Sequence, residues 1–574
     1  MKSTTATGNM TGMAHRMNRR TFVKRTAGVT AGLLTSDRLF AASPVSPTGA
    51  AMPTWSFRPP LSLEASLRLA GQNLLAILNP EDNYLPYWEL SVSPRYEAAL
   101  KRWWPAHNIG RWLDAMLRLR QVMGFDIPEP IEKAMVENTK RFFDNPDHIS
   151  LNPDRWPLHP HTTEEGLQWD LHSLREGLLA LNALARWHQS DWAADTGRKM
   201  IQSVDAKLRD DGRWELEQFD ACRKRGKQVI HNTAPCDTHG RMIEAVIWFF
   251  ETTGDPVALR FAHRLAEYHF ANTTQPDGEI PASAQVDHTH SYLGTLRGLL
   301  LYGRLTRQQK YLERVAAAYR VNIPRLVKES GYTSHNILIE SFGETTSPGD
   351  AAQLALWLAR AGNAEFLDDV DRLVRARILP SQIRETPSLH PISRFGKDAT
   401  RDLEKRIIGG YGGCHNHPHG HKVAVTDVTA ADVHTLLDIY EHMVLLDDQT
   451  LEVFCHLDYD GPHATVLSRR GQRAELTVIP KIERAVAIRA PRWTPVESIR
   501  VRVGGDLVHP VYAGHFARLG RQPAGTRIVM EYDLPERRTR ETDLGSPYEI
   551  AWRGDEVTGV RPNTTLYPFY PELR

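Results

Sequence analysis

The sequence predicts a mainly α protein with a β domain: an (α/α)6 toroid followed by a C-terminal antiparallel β-sandwich. Two observations carry that expectation. Between about residues 60 and 443, stretches with apolar side chains at i, i+3, i+4 and i+7 recur in pairs. After about residue 447 the apolar period drops to 2, and turn dipeptides separate short runs.

The N-terminus comes first. Asn18-Arg19-Arg20-Thr21-Phe22-Val23-Lys24 is a twin-arginine pattern, followed by the weakly apolar run Ala27–Leu34 and the small residues Ala41 and Ala42. That run is far short of the ~20 residues that span a bilayer. The reading is a signal peptide over 1–42 and a Ser/Pro-rich linker over 43–60. The twin-arginine translocase would export the folded chain, making it periplasmic or secreted. The alternative is a basic disordered leader. No later segment holds 18 consecutive apolar residues, so no membrane span is expected once the signal is removed.

The toroid is expected over 61–446. Its helices fall near 62–79, 108–123, 128–145, 172–189, 192–208, 239–252, 256–270, 289–306, 308–326, 348–362, 364–379 and 428–443. Leu174, Leu178, Leu181 and Leu184 show the spacing, and breaks such as Gly254-Asp255-Pro256 and Ala361-Gly362-Asn363 end the segments. Twelve helices make six hairpins. Four hairpins share a polar leader: Trp169–His172, Cys236–His239, Asp287–His290 and Gly343–Thr346. Equivalent hairpins would bring these leaders to one mouth, so His172, His239 and His290 are candidate sugar contacts. For each, the competing reading is a helix cap or a satisfied buried histidine.

Aromatic residues precede the early helices. Trp88 and Trp104 are candidates for stacking on a sugar face, and equally for core packing. Arg111 and Asp114 either bind hydroxyls or pair with other side chains. The fourteen Trp and seventeen Tyr suit both a glycan-facing surface and a large core.

Gly409–Lys422 concentrates five glycines, Cys414 and four histidines in a stretch with no regular period, hence a loop. Glycine lets a backbone approach a ligand; thiolate and imidazole act as nucleophile, base or soft-metal ligand. Tyr411 joins the candidate substrate contacts. A histidine-rich surface turn is the other reading.

Beyond 447, runs including Leu451–Leu457, Ala474–Ile479, Val486–Ala490, Ile499–Val503, Arg527–Tyr532 and Tyr548–Trp552 alternate as strands, giving a sandwich domain over 447–574. Composition excludes little else. The balance of 70 Lys+Arg against 69 Asp+Glu provides no field for nucleic acid. Four cysteines in 574 residues are no disulfide framework, although Cys222 and Cys236 have the option of pairing in an oxidising compartment.

The order of elements, with Gly343-Glu344-Thr345 before one helix and Gly412-Gly413-Cys414 before the last, resembles glycoside hydrolase family 127, the β-L-arabinofuranosidases. The resemblance covers roughly residues 60–560 and includes Trp169–Ala180, His290–Tyr302, Glu344–Gln382 and the Cys414 loop. It implies an (α/α)6 barrel with β-sandwich parts and a retaining glycosidase acting on a polysaccharide or oligosaccharide, with a zinc-bound cysteine nucleophile and a glutamate acid/base. Cys414 matches one cysteine of the family's Cys-Cys pair, and Glu344 its Glu-Thr-Cys glutamate. Thr346 and His415 stand where the family has further cysteines, so a three-thiolate zinc site cannot form. Glu344, Cys414 and His415 are the remaining candidate ligands for zinc. Glu340, four residues before Glu344, is the candidate acid.

Two other classes stay open. A polysaccharide lyase acting on a uronate would use His290 with Tyr292, or Tyr411 with His417, and Arg241 or Arg297 to neutralise the acid. A glycan-binding protein with a decayed site would need no catalyst.

Overall fold

A computed structural model describes residues 55–57, 62–152, 168–215, 218, 229–231, 233–392, 396–447 and 449–574. The expected signal peptide and Cys222 lie outside the described residues.

Helices form at α1 Leu63–Ala76, α2 Pro105–Met123, α3 Glu129–Phe143, α4 Leu174–Trp187, α5 Asp191–Lys207 and α6 Arg241–Thr253. They continue with α7 Pro256–Asn272, α8 Thr289–Thr306, α9 Gln309–Leu326, α10 Thr346–Arg360, α11 Leu367–Leu373 and α12 Thr426–His442. Their ends follow capping chemistry. Gly254 ends α6 in the left-handed region, and Asp255 accepts the Val257 N–H at 2.9 Å to start α7 behind Pro256. The main departure from the periodicity reading is α11, which runs on through a π turn, Val374–Ile378.

Six helices neighbour one another in a closed cycle, α2–α4–α6–α8–α10–α12 and back to α2. Behind them stand α3, α5, α7, α9, α11 and α1, each packed on one or two of the inner helices. The inner helices are buried nearly all round: every residue of α8 from Thr289 to Gly303 is enclosed. Leu293, Leu296, Leu299 and Leu300 are fully buried there, each contributing about 2 kcal/mol.

The stretch read as purely helical also contains a small sheet. Its order is Val423–Val425, Glu89–Val92, Glu97–Lys101, His390–Pro391, and it ties the Cys414 loop to the segment before α2.

The C-terminal region is built of sheets of five, six and three strands. Strand neighbours in them are antiparallel except Thr450–Val453 and Arg484–Arg489, which run parallel. Leu451, Val453 and Ile488 of the five-stranded sheet and Leu476, Val478 and Met530 of the six-stranded one are buried in one continuous core. Among the described residues no helix is long and apolar enough to cross a membrane.

Candidate functional site

Every inner helix sends a charged side chain to the middle of the ring. Four guanidiniums, Arg111, Arg175, Arg241 and Arg297, meet four carboxylates, Glu176, Glu244, Asp350 and Asp427. Arg241 Nη2 lies 2.6 Å from Glu176 Oε1, and Arg297 Nη1 lies 2.7 Å from Asp350 Oδ1. Burial on this scale is tolerable because the charges balance and are hydrogen-bonded. Burial alone would raise the Glu244 carboxyl; Arg175 and Arg297 instead carry it down to about 2.

His290 sits inside this network. Its Nδ1 bonds Asp350, while Nε2 faces Arg111 Nη2 at 2.8 Å and Arg241 Nη2 at 3.2 Å. A guanidinium can only donate, so Nε2 accepts and the proton resides on Nδ1. Burial, against the pull of Asp350, lowers its pKa to about 4, and the ring is neutral.

Above the network the leaders of the inner helices meet in a chain of aromatic rings. Trp88 stands edge-on to Trp104 (5.2 Å), Trp104 stacks on His107 (4.8 Å), and His107 lies parallel to His172 (5.8 Å). His172 approaches His288 (5.6 Å), His288 faces His335 (4.1 Å), and Phe342 stacks between His335 (4.5 Å) and His415 (4.7 Å). Trp104 holds its place at φ 52°, a left-handed conformation that a bulky side chain rarely adopts.

Two carboxylates flank His288. Asp237 Oδ1 is 3.9 Å from its Nδ1, and Glu344 Oε1 is 3.6 Å from its Nε2. Burial raises the Asp237 pKa. For Glu344 burial acts the same way, but the surrounding histidines, His288 first, bring it to about 2.

The structure therefore brings together His172, His290, Trp88, Trp104, Glu344 and His415. It separates the others. His239 lies within a π turn, Cys236–Gly240, and turns away. Its Nε2 bonds the Gly212 carbonyl at 3.1 Å and its Nδ1 meets His269 at 2.9 Å, so it is a satisfied buried histidine. Glu340 is exposed, and its Oε2 accepts the Gly545 N–H at 3.2 Å in the C-terminal region. It stands apart from the rings, and the carboxylate facing Glu344 across His288 is Asp237. Tyr411 is wholly buried, its N–H donating to Thr429 Oγ1 at 3.0 Å.

Cys414 is displaced by pleat geometry. Gly343–Glu344 pairs antiparallel with Gly413–Cys414, Glu344 opposite Gly413 and Gly343 opposite Cys414. Directly opposed residues share a face and successive ones alternate, so the Glu344 and Cys414 side chains leave on opposite faces. Glu344 enters the histidine cluster; Cys414 enters an enclosed cluster with Tyr332, Trp552 and Tyr570, where Arg377 Nη2 donates to its sulfur at 3.2 Å. Burial raises the thiol's pKa in spite of Arg377, the reverse of what a nucleophile needs. The loop glycines admit backbone rather than ligand: a Cβ at Gly412 would overlap the Val423 carbonyl. A zinc set of Glu344, Cys414 and His415 is therefore not assembled.

The groups a lyase would use are engaged elsewhere: Tyr292 Oη accepts from Asn322 Nδ2 at 2.9 Å, His417 Nε2 meets the Pro562 carbonyl at 3.3 Å, and Arg241 and Arg297 are committed to buried carboxylates. Arg111 and Asp114 are paired, Asp114 with His434 at 2.6 Å. Asp350, inside α10, anchors His290 and Arg297. The sequence reading does not single out His107, Asp237, His288 or His335; two of these, Asp237 and His288, lie inside marked leaders, each two positions from the residue chosen. A cleft lined by Trp55, Gln382, Arg384 and Tyr567 holds none of these residues.

No protein-family model matches the chain, and no curated protein matches it. Solved structures that share this fold include glycoside hydrolases and sugar epimerases. The chain resembles the family 127 β-L-arabinofuranosidase of Geobacillus stearothermophilus T6 at 13% identity, over 79% of this chain and 76% of that one, with a TM-score of 0.50. A second family 127 β-arabinofuranosidase matches at 11% identity over 87% and 84%, with a TM-score of 0.52.

Proposed function

We propose that the chain is an exported carbohydrate-active enzyme, a glycoside hydrolase built on an (α/α)6 toroid and β-sandwich, cleaving a plant or algal polysaccharide or oligosaccharide. The observation that supports it is the pair of carboxylates, Asp237 and Glu344, on either side of His288 at the end of a wall of rings. Cleavage of a glycosidic bond needs one carboxyl to protonate the leaving oxygen and a second, ionised group across the bond. Asp237 is the proton donor in this reading and Glu344 the ionised partner. Trp88 and Trp104, both half-buried, offer flat faces for the sugar rings, with His107 and His172 stacked behind them. Neutral His290, locked by Asp350 and two arginines, keeps the floor rigid so that the pair is preorganised.

The test is reducing-sugar release from a panel of plant and algal oligosaccharides and p-nitrophenyl furanosides and pyranosides. Asp237→Asn and Glu344→Gln are each expected to lower kcat by about 10²–10⁴-fold with the fold intact by circular dichroism. A product that gains ultraviolet absorbance from a new double bond would sink hydrolysis in favour of elimination. Full activity in both variants would remove the site.

A further inference from the structure

We propose that His288 Nε2, His335 Nδ1 and a carboxylate oxygen of Glu344 form a zinc site at the mouth of the helical ring. The inference deepens the functional reading, resting on it for the metal's use but not for its binding.

These three ligand atoms lie within 4.8 Å of one another. His288 Nε2 stands 3.6 Å and His335 Nδ1 4.0 Å from Glu344 Oε1, too far for hydrogen bonds. Both nitrogens are buried and neither has a hydrogen-bond partner. Buried ring nitrogens are normally hydrogen-bonded, and leaving one unpartnered is destabilising. Two such atoms aimed at one carboxylate are an unexplained feature of the interior.

His288 has an outer support: its Nδ1 is 2.9 Å from Ser291 Oγ. That contact holds the ring with Nε2 turned towards Glu344, the kind of support that orients metal-bound imidazoles.

The ligand positions are set by backbone. His288 bridges Asn336 and Ser334 bridges Gly343, placing the three ligands on adjacent stretches. Thr289 N donates to His335 O at 2.9 Å, and His335 N donates to Phe342 O at 2.8 Å. Zinc–nitrogen bonds of about 2.1 Å put tetrahedral ligand atoms about 3.4 Å apart, so one pair is already near that spacing and the others close by about an ångström. Two imidazoles and one carboxylate are a known catalytic zinc set, and each of the three side chains retains 15% exposure, leaving a fourth position for water or a sugar hydroxyl. The thiolate set expected from the family resemblance does not fit: Thr346 replaces one cysteine and Cys414 faces the other way. Glu344 stays ionised as a ligand, and the ion would supply a Lewis acid beside the sugar.

The full-length protein, stripped with chelator, is titrated with zinc, and its cobalt form is examined by visible absorption. One tight zinc per chain is expected, with nitrogen/oxygen-type cobalt bands and no sulfur charge-transfer band. His288→Ala, His335→Ala and Glu344→Gln should each weaken binding at least about a hundredfold, and Cys414→Ala should not, with circular dichroism confirming folded variants. Absence of tight zinc in the wild type overturns the proposal. So does a zinc that survives His288→Ala but is lost in Cys414→Ala or His419→Ala. Tight zinc at these residues in a protein that cleaves no glycan supports the site and removes only the glycosidase reading.

Discussion

Replacing Asp543 with asparagine should stabilise the protein at pH 8 and leave it unchanged near pH 4. Asp543 is fully buried and neither carboxylate oxygen has a hydrogen bond. Lys328 Nζ is 3.6 Å away and His419 Nε2 is 3.9 Å away. Burial first, then Glu541 and Glu340, push its pKa from the usual 3.8 to about 7, against Lys328 and Arg377. A folded pKa above the unfolded one means that the fold prefers the neutral acid. Below pH 4 both states hold the proton and nothing is lost. Between about 4 and 7 only the unfolded chain ionises, so stability falls by ~1.4 kcal/mol per pH unit. Above 7 the loss levels off at about 4 kcal/mol, an upper value. Asparagine has no proton to lose and avoids the decline. Urea unfolding at pH 4, 6 and 8, followed by tryptophan fluorescence and circular dichroism, measures the difference. If the two proteins keep a constant gap across that range, or the asparagine variant is the weaker at pH 8, the carboxyl is ionised and paired in the fold and the reasoning fails.

Further outcomes follow from the same geometry. Cys414→Ala should cost about 1–2 kcal/mol through lost packing and the loss of one Arg377 hydrogen bond, while glycan cleavage persists; a hundredfold loss of rate would put the thiol back in the site. Asp350→Ala strips His290 and Arg297 of a buried partner at once and should cost about 3–5 kcal/mol by urea denaturation. Gly412→Ala should cost about 1–3 kcal/mol, because its Cβ meets the Val423 carbonyl, a rigid neighbour; an unchanged midpoint would mean that the loop sits differently. His172→Ala should raise KM for oligosaccharide, whereas His239→Ala should lower stability and leave KM alone.

The architecture was legible where residue type and period agree. Helices such as 289–306 declare themselves because their apolar residues run almost all round and polar leaders punctuate them. Strand Glu536–Asp543 was missed because it is an exposed, almost wholly charged strand, with no apolar alternation to read. The sheet at 89–101 was missed because its strands are short and one partner, 423–425, is far along the chain, a pairing that local pattern cannot contain.

The candidate site was legible in its neighbourhood and not in its members, for a geometric reason. Composition marks a leader or a loop as chemical, but which side chain enters the cleft depends on an angle. At Cys236–Gly240 a π turn offsets the helix face, so Asp237 reaches His288 while His239, two residues on, packs against His269. At Gly413–Cys414 the pleat sends the thiol one way and its neighbour His415 the other, onto Phe342. A one-residue difference in a period of 2 reverses the face, and a π turn shifts it by a fraction of a turn. A sequence that places histidine, cysteine and acid at helix leaders therefore locates the mouth of the ring. The choice among His288 and His290, or Asp237 and His239, is made by local backbone winding, and that winding is also what leaves two unpartnered imidazole nitrogens beside Glu344.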